Sequence, residues 1–471
     1  MPLSETNPGE SGVGASARTY QAGTLQYTPR GLGLLFVWLL GGDFAFSFFE
    51  QIFGRCIPLF VNDLKGSNAL IGIMTGSIAG LVNVFFLPNI SMRSDRHRGR
   101  LGRRIPLLLW ATPCTVFSLI LVGLAPDLGN WLHGAHLPGV TVGPASLTLG
   151  LLCVFAVAFH LWNMILVNAY NWLIRDVVPP EVMGRFLSGF RIVGTLASFA
   201  FLWWVFPHVT THRREVFLSV GLVYLAIFLV MCWQVREGEY PPPETDAQPG
   251  RIKTFLRYFR ECLSIPMYRD FFVVYVLMVA ATTSSAPFMV LFARNTLGLG
   301  MQDVGSIFAW GTLAATIAYV PMGWICDKFH PIRVVFAGLL GFILAGVLAF
   351  FFVRDRSTWF AYTVLTAIPG CAWGLGWYAL TMEVFPTEEF GQFSAGLNVF
   401  GCGGLIVGNY LMGVFMDWSN SNYRMAFLWT ALFTTVALVP LWLVYRGWRQ
   451  HGGPDHYVPP LPSRPGNPAG K

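Results

Sequence analysis

The chain has 471 residues, 54% of them hydrophobic, 15% aromatic and only 12% charged. Soluble globular domains carry about a quarter of their residues as charges, so the composition argues against a water-soluble protein and for lipid as the solvent. The net charge of +7 does not point to nucleic acid, because the arginines lie in short segments between apolar runs, where they suit an anionic membrane surface.

Residues 1–30 are polar and rich in Gly and Ser, with no n-region, h-region and cleavage site, and predict a disordered cytoplasmic tail. A membrane span needs about 20 apolar residues. Twelve such runs follow, near 31–54, 68–92, 106–126, 147–173, 186–207 and 216–235, then 270–293, 303–325, 332–353, 358–382, 393–416 and 424–446. The predicted fold class is an all-α integral membrane protein of twelve transmembrane helices. Residues 31–236 form one six-helix bundle and 270–446 the other. In the linker at 237–269, Ile252, Phe255, Phe259 and Leu263 share one helical face, which predicts an amphipathic helix on the cytoplasmic surface. Residues 447–471 predict a second disordered tail. None of the eight cysteines forms a C-x-x-C pair; they predict small membrane-embedded hydrophobes rather than disulfides or metal ligands.

Between spans 2 and 3, Arg93 to Pro106 holds six arginines in fourteen residues. Short arginine-rich connections stay on the cytoplasmic side. The linker (Arg251, Lys253, Arg257, Arg260, Arg269), the 8–9 loop (Lys328, Arg333) and the tail (Arg446, Arg449) fall on that same side. Both termini are therefore expected in the cytoplasm, in a multi-pass protein of the plasma membrane. Arg213, Arg214, Arg354 and Arg356 are exceptions that would be external.

The halves are related to each other. Asp176–Gly189 aligns without gaps on Glu383–Gly396, 207 residues further on, pairing Pro179 with Pro386, Glu181 with Glu388, Gly184 with Gly391 and Phe186 with Phe393. Asp95 of the 2–3 loop has its partner in Asp327. A parallel repeat of six helices is the plan of a transporter that holds substrate and coupling ion between its halves, near the midplane.

Ionisable residues inside the bilayer cost at least about 2.5–3.5 kcal/mol and are functional candidates by default. Span 1 carries Asp43 and Glu50, seven apart and hence within about 20° of one helical face. Two stacked acids predict a proton relay; the competing reading is a structural pair, Glu50 with Arg55 or Arg191. Arg191 of span 5 is related by the repeat to Asn398 of span 11. Its guanidinium suits sugar hydroxyls or a buried carboxylate. We expect it to pair with Glu50 until protonation releases it to the substrate, against the reading of a fixed ion pair. In span 4, His160, Asn163, Tyr170 and Asn171 share a stripe. Cavity lining is expected for His160 and Asn163, and interhelical bonding for Tyr170 and Asn171. Span 10 offers Trp373, Trp377 and Tyr378, with Thr381 on the same face as the tryptophans. Their rings can stack on sugars or belong to an interfacial belt. Span 7 adds Thr282 to Ser285 followed by Pro287, predicting a helix irregularity that lines the cavity.

The run Ser94, Asp95, Arg96, then Arg100, Gly102, Arg103, Arg104 and Pro106 resembles the helix 2–3 loop of the major facilitator superfamily, in the form used by glycoside–pentoside–hexuronide cation symporters and the sucrose-transporter branch. The resemblance implies the major facilitator fold and a symporter that moves a sugar or glycoside by alternating access, driven by H+ or Na+. An exporter or uniporter of a non-sugar organic solute is the alternative. It also implies a cytoplasmic gate. Asp95 would cap the start of span 11, helped by Arg96, Gly102, Arg103 and Arg104, with Asp176 and Arg185 in the 4–5 loop and Asp327 in the second half. Glu383, Glu388 and Glu389 lack basic partners nearby in sequence, so the latch is expected to be asymmetric. No H-E-x-x-H, G-x-S-x-G or G-x-x-x-x-G-K-[ST] motif occurs, which disfavours an enzyme and ATP-driven transport. No cofactor or metal is expected beyond the coupling ion. The expected partners are the solute and the bilayer, with no nucleic acid, in a monomer.

Overall fold

The computed structural model describes residues 19–135, 142–240 and 263–460. A short hairpin comes first, β1 (Tyr20–Ala22) paired with β2 (Leu25–Tyr27). Six helices then cross the molecule: α1 (Pro29–Asp63), α2 (Asn68–Arg96), α3 (Ile105–Gly134), α4 (Pro144–Val177), α5 (Pro180–His208) and α6 (Arg213–Gln234). The second half has α7 (Pro266–Thr296), α8 (Met301–Phe329) and α9 (Pro331–Phe352), then α10 (Arg356–Leu365) and α11 (Ala367–Val384). It ends with α12 (Phe390–Trp418), α13 (Met425–Gln450) and the short α14 (Gly453–His456).

Eleven of these helices are each long and apolar enough to span a bilayer. The twelfth span is α10 and α11 together, broken at Thr366. Pro369 has no N–H to offer the carbonyl four residues earlier, so the ladder is interrupted there. The Thr366 hydroxyl, donating to the Tyr362 and Thr363 carbonyls at 2.9 and 3.1 Å, takes up part of the loss. Span ends are otherwise fixed by local chemistry. Proline opens α1, α4, α7 and α9, where its missing N–H costs nothing. The hydroxyls of Thr28 and Ser67 accept the amides of Gly31 and Leu70, both at 3.2 Å, at the starts of α1 and α2.

Large apolar side chains cover the outside: Trp233 is 82% exposed and Trp418 79%. In water such a surface would aggregate; against acyl chains and the headgroup boundary it is stable. Inside, the repeat seen in sequence is also a repeat in structure. A single 3-10 turn, Pro180–Val182 in one half and Thr387–Glu389 in the other, leads into the long helix.

Two readings of the sequence are corrected in extent, and a third is not reached. Residues 19–30, assigned to a disordered tail, form the hairpin and the first turn of α1; the Glu239 amide donates to Thr24 Oγ1 and ties the hairpin to the linker. The C-terminal tail is helical to Gln450, and its Pro460 carbonyl accepts the Tyr268 hydroxyl. The amphipathic helix expected at 252–263 lies almost entirely outside the described residues.

Candidate solute and coupling site

Four charged side chains lie within the middle turns of α1 and α5. Asp43 is 1% exposed, and neither carboxylate oxygen has a hydrogen-bond partner. It lies against α5 where Gly194 leaves room; a Cβ there would stand 3.2 Å from the carboxylate. The Ser47 hydroxyl, Arg191 and Glu50 are all near enough to act on it electrostatically. Glu50 and Arg191 are both exposed, and among the described residues no ion pair joins them, which overturns the expected Glu50–Arg191 bridge. Arg191 instead stands near Asp43 and near Tyr319 of α8, in the opposite half. Asn398, its repeat partner, is exposed on α12.

The alternative partner, Arg55, is not paired with an acid either. Its Nε donates to Gln51 Oε1 at 2.9 Å, and the Gln51 amide donates to Ser198 of α5 at 3.2 Å. The guanidinium lies 4.6 Å over the ring of Phe308 on α8. Sequence reading missed this arrangement. The signal was present, since Arg55 follows Glu50 within an apolar run, but only the tertiary fold shows which residues reach it.

Several candidates are packing residues. His160 is 8% exposed, and its Nε2 lies 2.8 Å from the Met74 carbonyl on α2. With its ring against Phe53, it joins α1, α2 and α4 and does not line a cavity. Asn163 is half-buried, its Oδ1 without a partner. Tyr170 donates to the Leu39 carbonyl on α1, the interhelical bond expected of it. Trp377 is buried in a stack with Phe271, Tyr275 and Trp373, which corrects its assignment to substrate stacking. Trp373 is half-buried at the end of that stack and Tyr378 is exposed. The irregularity predicted in span 7 is present as a π turn at Val279–Thr283 with a break at Ser284–Ser285. Its carbonyls are satisfied by α13: Trp429 donates to Ala280 at 2.8 Å and Thr430 to Ala281 at 3.2 Å. The half-buried Thr282 donates its hydroxyl to the Met278 carbonyl, and Ser284 and Ser285 are buried, which leaves Thr283 as the exposed hydroxyl of this segment.

The arginine-rich end carries a dense network within the first half. Asp176 binds Arg103 at 2.9 Å and Arg104 at 3.2 Å, and Arg104 also holds Asp95. Glu237, from the linker, accepts the backbone amides of Arg103, Arg104 and Ile105 at 2.9, 2.7 and 2.6 Å. It thereby caps the N-terminus of α3 with a negative charge. Gly102, at φ +94°, makes this approach possible, because a Cβ would fall 2.5 Å from the Glu237 carboxyl carbon. Tyr240 donates to Glu237 at 3.0 Å and covers Arg103, ring to guanidinium 3.9 Å. The charge of Asp176 beside it, together with Tyr240, holds the Arg103 guanidinium above its ordinary pKa against the opposing effect of burial.

Asp95 does not cap span 11; Arg104 takes it. Arg96, Arg185 and Asp327 are exposed and stand outside the network. In the second half Glu383 finds its partners outside its own loop. His330 Nε2 lies 2.9 Å away and Trp448 Nε1 donates at 3.0 Å, while His330 Nδ1 accepts the Ile332 amide.

The halves are joined at the opposite end. Asp417 of α12 accepts the amides of Asn68 and Ala69 at 2.7 and 2.9 Å and the Asn68 side chain at 2.9 Å. Arg294 pairs with Asp63 at 2.7 Å, and Asn62 donates to Tyr423 at 3.0 Å. Below these bonds α2 presses on α12: the Ser77 hydroxyl donates to the Ile406 carbonyl at 2.7 Å. Two cavities of about 420 and 300 Å³, one between α8, α9 and α11 and one beside Trp203 and Trp310, lie away from the charged residues of α1.

Residues 271–469 match the model of the Major Facilitator Superfamily. A bacterial homologue of the iron transporter ferroportin, 14% identical in its inward-facing state, aligns with a TM-score of 0.67 over 87% of this chain and 98% of that one. The chain has the major facilitator fold. In its outward-facing, iron-soaked state the ferroportin homologue aligns at 0.54, with 13% identity over 88% of this chain and 98% of that one. Among curated proteins, this facilitator-fold chain is 25% identical to the general alpha-glucoside permease of Schizosaccharomyces pombe over 198 residues, 40% of this chain but only 35% of the permease. It is 24% identical to the "probable nitrate/nitrite transporter" of Mycobacterium tuberculosis over 351 residues, 74% of this chain and 79% of that one.

Proposed function

We propose that the chain is a secondary active transporter of the major facilitator superfamily that moves a small polar solute, a sugar or glycoside, with a coupling proton. The carrying observation is Asp43, buried in α1 with no donor on either carboxylate oxygen. Burying a carboxylate without a bonded partner is costly, which makes Asp43 the candidate to take up and release the coupling proton. A change of access that hydrates it would do so beside Arg191 and Glu50, which already stand near it. One charge crossing 100 mV supplies about 2.3 kcal/mol, roughly forty-fold accumulation at 1.4 kcal/mol per decade. The sugar reading is supported by the 2–3 loop and by the alpha-glucoside permease. The nitrate/nitrite transporter, which matches more of the chain, supports the second reading, a facilitator or exporter of a non-sugar solute.

With the arginine-rich end in the cytoplasm, the joined far end is external and the molecule faces inward. The better superposition on the inward-facing ferroportin homologue supports that state. Uptake of labelled mono- and disaccharides into proteoliposomes, with pH and sodium gradients imposed separately, tests the proposal. Accumulation under an inward proton gradient alone is expected. Transport of another solute class with no transport of any sugar overturns the sugar assignment.

A further inference from the structure

Arg103, Arg104 and Arg294 are each paired with a carboxylate; Arg55 has no carboxylate among its partners in the described residues, only a neutral amide oxygen. It is half-buried, 26 residues into the 35-residue helix α1, where α1, α5 and α8 meet. Its bonded donor, Nε, goes to a neutral amide oxygen, and its flat face lies on Phe308. Among the described residues no carboxylate acts on it. Among the described residues its two terminal nitrogens have no hydrogen-bond partner, and the side chain is only half-buried. A guanidinium is pre-shaped to grip two oxygens of one anion. Gln51, bonded to Ser198, and Phe308 hold it still, so its fork is oriented before any ligand arrives.

We propose that Arg55 is the anion subsite of the transport pathway, and that the solute carries an oxyanion group, a carboxylate or a phosphate, which its two terminal nitrogens receive. Gly54 on the adjoining turn leaves open space beside it, with nothing within 4 Å of where a Cβ would stand. The inference rests on the transporter reading and narrows its solute from any sugar to an acidic one.

Binding to the purified full-length protein in nanodiscs tests it without requiring transport. Thermal unfolding is followed with glucuronate, glucose 6-phosphate, nitrate and glucose. Glucuronate or glucose 6-phosphate is expected to raise the Tm of the wild type and glucose to do so weakly. In Arg55→Gln the apparent Kd for the anionic sugar is expected to weaken at least about ten-fold while any glucose effect is unchanged. Arg55→Lys, which keeps the charge and loses the fork, should fall between, and Phe308→Leu should weaken anion binding with Arg55 in place. Equal stabilisation of wild type and Arg55→Gln by the anions, or by glucose alone, overturns the anion subsite and leaves the transporter reading standing. Stabilisation by nitrate alone overturns the proposed carboxylate- or phosphate-bearing solute. No shift with any of the three anions overturns the subsite.

Discussion

Asp43 and Arg104 show two solutions to burying charge. Arg104 is surrounded by Asp95, Asp176 and Ser94, so removing it would strand acids; among the described residues no donor reaches either Asp43 oxygen, and Ser47, Arg191 and Glu50 stand near it. Asp43→Asn is therefore expected to leave the fold intact and to abolish accumulation driven by a proton gradient, while solute exchange at equal concentrations persists. Uptake with and without an imposed pH step in the same vesicles checks this, and undiminished accumulation would retire the coupling role. Glu50→Gln should reduce accumulation at least several-fold in the same assay. The candidacy of these acids was legible in sequence, because charges stand out in an apolar run. Their pairing was not. The geometry of Arg191 depends on α8, and that of His160 on α2, and no local pattern carries either.

Helix ends govern the element scale. Glu237 reaches back more than 130 residues to cap α3 with three backbone bonds, and its substitution by Gln should cost about 1–2 kcal/mol, read as a lower Tm of the purified protein. Asp417 does the same for α2, but across the two halves. Asp417→Asn is expected to speed amide exchange in the first turns of α2 about ten-fold, the factor that about 1.4 kcal/mol sets, with the Arg103–Asp176 region unchanged. Exchange at wild-type rates would show that the cap does not hold that end. The twelve spans themselves were readable from hydropathy to within a few residues at most ends. The break at Thr366 was not, because Pro58, Pro113 and Pro440 sit inside helices that continue. A proline interrupts a helix only where its neighbours permit.

At the scale of the whole molecule, closure at one end rests on close approach of α2 to α12. A Cβ on Gly76 would stand 2.2 Å from the Asn409 side chain. Gly76→Leu should therefore wedge that end open and shift the population toward the opposite-facing state. Spin-label distances between the exposed Glu215 and Arg354 report it, and an unchanged distance would count against the two-state reading. The mistaken expectation for Asp95 belongs here too. Capping span 11 requires the halves to meet at the arginine-rich end, whereas the cross-half bonds described here lie at the other.

By itself the sequence determined the solvent, the number of crossings, the internal repeat and the intramembrane charges. Each follows from composition and from periods of a few residues, which survive without knowledge of neighbours. The tertiary structure alone decided which charges are answered, which aromatic rings are core, and which end is shut. Those outcomes depend on contacts between helices hundreds of residues apart, and burial turns the same side chain into a strut, a proton site or an unanswered cation according to what lies across from it.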